Sequence, residues 1–373
     1  MKIVVAPDSF KGSLPASAFC QIAEQVILQH CPEAEVIKLP LSDGGEGFVE
    51  AFVCAGLAEE IKLWVSGPLG KKTKASFAWQ ADTKTAMIEM AQASGLPKLR
   101  HEERNPLQTH TYGTGQLIQA AIEKGAKNII LGLGGSATND GGVGALQALD
   151  VEFLDSENQP IGLGGQALKT IASIGRIPEK LLEIDWVLAC DVTNPLLGDE
   201  GATAIFGPQK GLQPQQFDSL ENGLANLAEK IHTATGRQIV EVAGAGAAGG
   251  MAGGFIGILD AQVEPGFEVL NRYLKIEQAM QSKNHRPVSY VITGEGRMDE
   301  QTAFGKLPMR IAQLAEQYGT PAIGICGSLG VSQLPPFQSL FSIVNTPMHE
   351  FDAMRDAPQL LESCLQNLVP LLK

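Results

Sequence analysis

The chain has 373 residues, a formal net charge of −13, 44% hydrophobic residues and 18% charged residues. This length exceeds what one hydrophobic core usually supports, so the sequence predicts a globular protein of two domains. The negative charge argues against nucleic-acid and anionic-membrane partners, because the electrostatic attraction that dominates such binding would become a repulsion. Any phosphate group that the protein binds must therefore be held by a local arrangement of groups.

The cysteines and one long uncharged segment bear on where the protein resides. Its six cysteines show no C-x-x-C or other ligand spacing, and no basic-then-apolar signal segment follows Met1, so we expect a cytoplasmic protein. Residues 242–259 lack charge over 18 residues, which is long enough for a membrane helix, but seven of them are Gly and five are Ala. We predict a soluble glycine-rich loop followed by a short helix there.

The first forty residues have the pattern of a βαβ unit. Residues 2–6 are apolar and rich in β-branched side chains, which predicts a buried parallel strand just before Asp8. A helix should follow, with Ser13 as its cap and apolar residues at three- and four-residue spacing from Phe19 to Ile27. Residues 35–39 predict the second strand.

The middle of the chain predicts a partly antiparallel sheet. Strands are expected at 61–65, 74–79 and 85–89, a helix at 114–124, and an apolar strand at 128–133. That last strand runs directly into Gly134, and a helix is expected at 142–149. The order of strand, glycine loop and helix is that of a phosphate-binding site. A further apolar run at 186–189 is followed closely by Asp191.

The C-terminal part predicts strands at 288–292, 321–325 and 340–344 with a helix at 307–318. Both ends of the chain thus predict a doubly wound α/β sheet, with Asp8 and Glu295 at the carboxyl ends of strands, where ligands bind. We predict a Rossmann-like or flavodoxin-like outer domain, residues 1–62 plus 288–373, with an inserted α/β domain of mixed sheet at 63–287. The active site is expected in the cleft between these domains.

Five loop-like segments each contain a carboxylate, and they are residues 6–13, 42–47, 134–142, 189–194 and 293–299, all but 189–194 also containing glycine. Any one of them fits an ordinary turn, because Gly, Ser, Asn and Asp are turn residues. Bare backbone amides suit an anion, whereas nearby carboxylates would repel a phosphate unless Mg²⁺ lay between the charges. Together the five segments indicate phosphoryl transfer with a metal-bridged nucleotide.

The segment 134–142 is the leading candidate for a nucleotide loop. Its first glycines allow close approach of the backbone to phosphate, although it has neither the Walker A pattern nor the dinucleotide fingerprint. The alternative is a structural turn with a helix cap. The candidate ligands are Gly134, Gly135, Ser136, Thr138 and Asn139 for the nucleotide and Asp140 for the metal.

Three lysines lie beside glycines in such segments. Lys11 and Lys306 each follow a predicted strand and precede a helix, a place from which an ammonium group can reach a transferring phosphate. Lys210, next to Gly211, is a third candidate and is assigned here to the nucleotide. The alternative for each is a solvated surface lysine.

Several carboxylates have candidate roles. Asp191 is predicted to act as general base or Mg²⁺ ligand, with an Asx-turn before Asn194 as the alternative. Asp299 is a second catalytic candidate. Substrate-binding candidates are Asp8, Ser9, Asp43, Gly44, Glu46 and Glu295. The alternative for the acidic residues is helix capping or neutralisation of a helix dipole.

Other chemistries lack their motifs. The six histidines show no H-x-H or H-E-x-x-H pairing, and no G-x-S-x-G is present, which disfavours zinc and serine hydrolases. A nicotinamide dehydrogenase needs the missing dinucleotide fingerprint. A non-enzymatic sensor of a phosphorylated metabolite can share the glycine loops, but it has little use for so many carboxylates.

Taken together, the motifs resemble the type I glycerate kinases of bacteria, in that family's order and over nearly the whole chain. The segments that carry the resemblance are residues 6–14, 43–47, 132–142, 189–196, 206–211, 244–250 and 293–296. One departure is Ser42, where alanine is expected before Asp43. The resemblance implies an ATP- and Mg²⁺-dependent kinase of D-glycerate, with phosphorylation at O2 favoured and O3 as the alternative. It leaves open whether the protein is a monomer or a homodimer.

Overall fold

The structure is a computed structural model that describes residues 1–42, 45, 47–281 and 287–372. The chain divides into two compact units. Unit 1 takes its residues from 1–43, 50–57 and 267–373, and unit 2 from 44–49 and 58–266. The main boundaries thus fall at 57/58 and 266/267, whereas the sequence predicted 62/63 and 287/288, so the second boundary lies 21 residues earlier than predicted.

The strands of the described residues are β1 Lys2–Val5, β2 Glu35–Lys38, β3 Glu59–Ser66, β4 Lys72–Gln80, β5 Thr85–Glu89, β6 Asn128–Gly132, β7 Phe153–Leu154, β8 Ser173–Ile174, β9 Asp185–Ala189, β10 Gln262–Glu264, β11 Tyr290–Met298, β12 Ala322–Leu329 and β13 Phe337–Ser342. Every strand expected from the sequence is present, with its ends shifted by a few residues.

The α-helices of the described residues are α1 Ala16–His30, α2 Phe48–Cys54, α3 Ala91–Ser94, α4 Tyr112–Glu123, α5 Val143–Ala148, α6 Glu179–Leu182, α7 Ala202–Phe206, α8 Phe217–Thr235, α9 Ala247–Leu259, α10 Gly266–Leu274, α11 Ile276–Met280, α12 Leu307–Gln317, α13 Glu350–Arg355 and α14 Ala357–Leu368. Short 3₁₀ helices occupy Leu96–Lys98, His101–Glu103, Gly165–Thr170, Pro208–Lys210, Pro214–Gln216, Glu300–Phe304 and Val369–Leu371.

Unit 1 contains a five-stranded parallel sheet in the order β13-β12-β11-β1-β2. Numbered within this sheet, the order is 2-1-3-4-5, which is the flavodoxin-like arrangement. Helices α1 and α14 pack together, and their apolar side chains share one buried cluster with Ile3, Val5 and Ile292. The predicted doubly wound α/β fold is confirmed.

Two local predictions in unit 1 are wrong. Ser13 does not cap α1, because the residue before the helix is Pro15 and the Ser13 hydroxyl donates instead to the carbonyl oxygen of Met354, at 2.7 Å. The segment 293–299 is not a loop, because β11 continues through Glu295 as far as Met298. Gly294 fits the sheet because a Cβ there would overlap the carbonyl oxygen of Ile325 in the adjacent strand.

Unit 2 contains a six-stranded mixed sheet in the order β10-β9-β6-β5-β4-β3. Strands β10, β9, β6 and β5 run parallel, whereas β4 is antiparallel to both β5 and β3. The predicted mixed sheet is therefore confirmed. Helices on this sheet enclose a large apolar core that includes Phe77, Leu117, Ile129 and Phe255.

The uncharged segment 242–259 forms a loop and then the buried helix α9, as predicted. At its start Ala248, Gly249 and Gly250 all have positive φ angles, of 54°, 68° and 84°. This left-handed turn is favoured by glycine, and Ala248 is the strained member. None of the helices described here is long and apolar enough to cross a membrane.

Candidate functional site

Four parallel strands of unit 2 end in one row. Glu89 of β5 pairs with Gly132 of β6, Gly132 pairs with Ala189 of β9, and Ala189 pairs with Glu264 of β10. Residues 134–142, which we call the glycine loop, leave this edge after β6, and Asp191 leaves it after β9. The carboxyl edge of this sheet therefore carries two of the segments that the sequence singled out.

The first three amides of the glycine loop are available to a ligand. The amides on either side are used, since Leu133 N donates to Ala189 O at 3.3 Å and Ala137 N to Ser94 O at 2.9 Å. Across the ranges that the structure covers, the amides of Gly134, Gly135 and Ser136 have no acceptor. Gly135 is exposed and has a φ of 72°. Successive free amides in such a turn form a concave site for an anion.

The rest of the loop is fixed through its carbonyl groups. Leu96 N donates to Gly135 O at 2.9 Å, the Thr109 hydroxyl to Ala137 O at 2.8 Å, and Lys210 Nζ to Thr138 O at 2.8 Å. Three separate segments thus hold one side of the loop while its first amides stay free. Donors fixed in advance in this way bind and stabilise charge without reorganising.

The carboxylate of Asp140 stabilises the loop by accepting several hydrogen bonds. Its Oδ2 accepts from the amide and hydroxyl of Thr111, at 2.7 and 2.8 Å, and from Gly144 N at 3.3 Å. Its Oδ1 accepts from Gly142 N at 3.2 Å, and the side chain is buried. With both oxygens occupied, Asp140 fits a Mg²⁺ ion poorly, and these contacts favour the capping alternative.

Thr138 and Asn139 point into the protein. Both side chains are fully buried, and Asn139 Nδ2 donates to Thr203 Oγ1 at 3.3 Å. Among the described residues, Thr138 Oγ1 and Asn139 Oδ1 find no hydrogen-bond partner. Since Gly135 is the exposed point of the loop, a ligand there meets backbone rather than these two side chains.

Lys210 lies at the end of the 3₁₀ helix Pro208–Lys210 and is buried. Burial lowers the pKa of its ammonium group to about 7, and the nearby charge of Asp140 opposes that shift. Its contact with Thr138 O joins it to the loop backbone, so direct contact with a nucleotide, as expected from the sequence, has no support in this geometry.

Asp191 follows β9 and is exposed, and its Oδ1 accepts from Gly266 N at 3.1 Å. No group of three or more His, Cys, Asp or Glu side chains in the described ranges is arranged to hold a metal. Mg²⁺ needs only one or two carboxylates, because substrate phosphates and water supply its other ligands. Asp191 fits that requirement better than Asp140 does.

The sequence reasoning missed Glu89, Glu264 and His110 near this edge. Glu89 and Glu264 are the last residues of β5 and β10, and Glu89 is buried. Glu89 directly follows the apolar run 86–88, which is the same signal that identified Asp191, whereas Glu264 follows only the single apolar residue Val263. His110 precedes α4; burial lowers the pKa of its imidazole, and the carboxylate of Asp140 acts in the opposite direction.

In unit 1, polar residues lie where β1 ends and along β11. Asp8 is buried, and its Oδ1 accepts from Ser9 N at 2.7 Å. Glu295 Oε1 accepts from the Thr302 hydroxyl at 2.8 Å, and its Oε2 lies 3.3 Å from Lys306 Nζ. Burial raises the pKa of Glu295, although Thr302 and Lys306 act against the shift. Thr302 is a further residue that sequence reasoning missed.

Lys11 and Asp299 differ in how firmly they are held. Lys11 is exposed in the loop after β1, close to Gly296 of β11. Asp299 caps the 3₁₀ helix Glu300–Phe304 by accepting from Gln301 N at 3.0 Å, and it forms an ion pair with Arg297 at 3.1 Å. The capping alternative is thus favoured for Asp299. Asp43, Gly44 and Glu46 lie outside the described residues.

Comparisons with known proteins agree with this fold. The model of the glycerate kinase family matches residues 3–373. An Escherichia coli protein named glycerate 2-kinase is 44% identical over 93% of this chain and 91% of its own length. A Bacillus subtilis glycerate kinase is 41% identical over 100% of this chain and 98% of its own.

A crystal structure from Salmonella typhimurium LT2, described as a proposed glycerate kinase 2, superposes with a TM-score of 0.87 at 40% identity, covering 100% of this chain and 98% of the other. The family match and the fold agree. The chain belongs to the glycerate kinase family and is a phosphotransferase of that family.

Proposed function

We propose that the protein is an ATP- and Mg²⁺-dependent glycerate 2-kinase of the type I group, which transfers the γ-phosphoryl group of ATP to O2 of D-glycerate. The observation that carries this proposal is the row of amides at Gly134, Gly135 and Ser136, which have no acceptor among the described residues and are centred on the exposed Gly135 of a firmly held loop. The name of the Escherichia coli relative supports the choice of O2 over O3.

The glycine loop is proposed to bind the phosphates of ATP. A phosphate oxygen accepts hydrogen bonds from successive backbone amides, and the exposed glycine lets it approach without a side chain in the way. The free amides also remain in place when charge develops on the transferring group, which stabilises the transition state. Lys11, exposed at the end of β1 in unit 1, is proposed to contact a phosphate.

Asp191 is proposed to accept the proton of the glycerate hydroxyl. In that step the O2 oxygen attacks the γ-phosphorus, the bond from that phosphorus to the β–γ bridging oxygen breaks, the proton passes to the Asp191 carboxylate, and ADP leaves. Mg²⁺, when bound, neutralises phosphate charge, and Asp191 is the described residue at this edge best placed to hold it. Asp299 is kept as the second catalytic candidate, although its capping contacts count against it.

Asp8, Ser9, Asp43, Gly44, Glu46 and Glu295 are proposed to bind glycerate, with the carboxylates accepting hydrogen bonds from its hydroxyl groups. A cytoplasmic location and a monomeric or homodimeric state complete the proposal.

The test is an assay of ADP release with ATP, Mg²⁺ and D-glycerate, with ³¹P NMR to identify the product. We expect ADP release that depends on glycerate and stops with EDTA, and a product phosphorylated at O2. A product phosphorylated at O3 would overturn the position of transfer. Binding of a phosphorylated metabolite without ADP release would instead identify a sensor.

A further inference from the structure

We infer that Lys210 is a positioning residue: it holds the glycine loop in its binding shape through the carbonyl of Thr138, and it does not contact the nucleotide. This inference rests on the proposed role of the loop as the phosphate site. It goes further in assigning how the loop is kept in shape and by which side chain.

The first argument is where the ammonium group lies. Lys210 is 1% exposed, and its Nζ is 2.8 Å from Thr138 O. That carbonyl is the single hydrogen-bond acceptor of Lys210 Nζ in the part of the chain described. Thr138 is itself fully buried, whereas Gly135 is exposed. The ammonium group therefore meets a buried carbonyl group of the loop and not its exposed residue, Gly135.

The second argument is that Lys210 is itself anchored. The next residue, Gly211, has a φ of 88°, and a Cβ there would overlap the carbonyl oxygen of Arg104. Arg104 Nη1 also donates to Gln209 O at 3.2 Å, and Lys210 N donates to Gly207 O at 2.9 Å. A short helix fixed on both sides gives the ammonium group little freedom, so it can hold the Thr138 carbonyl in one place.

The third argument is energetic. Burying a lysine is costly unless its charge is compensated. Here the compensation comes from the loop itself, through the Thr138 carbonyl and the nearby charge of Asp140. Below its lowered pKa of about 7 Lys210 is charged, and a hydrogen bond from a charged group is stronger than a neutral one, so losing it should release this part of the loop more than losing a hydroxyl contact would.

The test compares Lys210→Met with Lys169→Met, an exposed lysine of the same unit that serves as matched control. Hydrogen exchange, measured without substrate by mass spectrometry, should be about tenfold faster in Lys210→Met for a peptide spanning residues 134–145 and unchanged elsewhere. The KM for ATP should rise about tenfold, while kcat and the KM for glycerate stay within about twofold. Lys169→Met should match the wild type in each measurement.

Two results would overturn the inference. Unchanged exchange in residues 134–145 with a large loss of kcat would make Lys210 a residue that touches the nucleotide. Faster exchange spread evenly over unit 2 would make it a packing residue. Should the Met variant not fold, Lys210→Gln, which is too short to reach the same carbonyl, is held to the same expectations. Because exchange is read without substrate, an inactive wild type would refute the proposed function and leave this test intact.

Discussion

Two segments of similar composition behave differently. Residues 134–142 and 293–299 each follow an apolar run and combine glycines with a carboxylate. The first leaves the sheet of unit 2 when β6 ends at Gly132, and three of its amides have no acceptor among the residues that the structure describes. The second stays inside the sheet of unit 1, because β11 pairs with β12 from Val291 to Met298, and Gly294 O accepts from Asp8 N at 2.8 Å.

The difference shows that the reason a position requires glycine depends on the backbone packed beside it. A Cβ at Gly294 would overlap the carbonyl oxygen of Ile325 in the neighbouring strand. A Cβ at Gly135 would meet one neighbouring group, the methyl of Ala91 at 3.2 Å. The glycine of unit 1 is therefore required for packing, and the glycine of unit 2 is required mainly by its φ and by what binds there.

The largest expected effect is on the folding of unit 1. Gly294→Ala should destabilise the protein by about 3 kcal/mol or more, since backbone in a buried sheet cannot move aside. Gly296→Ala in the same strand is the matched control, because its Cβ would lie in ordinary contact with Phe10 Cα at 3.6 Å. Thermal unfolding measures the stability of both variants. Equal stability of the two variants would contradict the strand placement of this segment.

Next in size is the effect of removing the carboxylate beside the glycine loop. Asp191→Asn keeps the shape of the side chain and should lower kcat by at least ~10²-fold with little change in thermal stability. Asp299→Asn is the matched change in unit 1, and it should leave kcat within about threefold because Asn also caps helices well. Steady-state kinetics from pH 6 to 9 measure kcat for both variants. The reverse result would transfer the base to Asp299.

A smaller effect is expected from the glycine loop itself. Gly135→Val combined with Ser136→Ala should raise the KM for ATP about tenfold or more, because a β-branched side chain at positive φ distorts the backbone that meets phosphate. Glycerate binding should change much less. Calorimetry on the folded variant measures both affinities, with Gly162→Val, at a site with open space around it, as control. Intact ATP binding would make this loop structural.

The smallest effect concerns Glu295, the carboxylate inside β11. Burial raises its pKa, so the folded state favours the protonated form, and the stability this gives is present at low pH and lost as pH rises through the raised pKa. Glu295→Gln has no charge to bury. Its melting temperature relative to the wild type should therefore increase from pH 4 to pH 7. A constant difference, as expected for the exposed control Glu300→Gln, would contradict this.

The local sequence pattern determined the strands of the protein and the types of its two sheets. Apolar runs such as residues 2–6 and 128–133 form strands because β-branched, uncharged segments bury well in a parallel sheet. The order of these runs predicted a doubly wound sheet together with a mixed one. The placement of Asp191 directly after a strand also followed from sequence, and the motifs indicated the glycerate kinase family.

Tertiary structure decided which polar groups are free. Asp140 Oδ2 accepts a hydrogen bond from the amide of Thr111, and Lys210 Nζ donates one to the carbonyl oxygen of Thr138. Gly141 N donates to Gly249 O at 3.0 Å. Each partner comes from an element distant in the chain, and local composition does not encode which elements will meet. The polar groups available to a ligand are those that remain without a partner after these contacts have formed. The sequence therefore identified the glycine loop, and within the described residues the fold leaves the amides of Gly134, Gly135 and Ser136 without an acceptor.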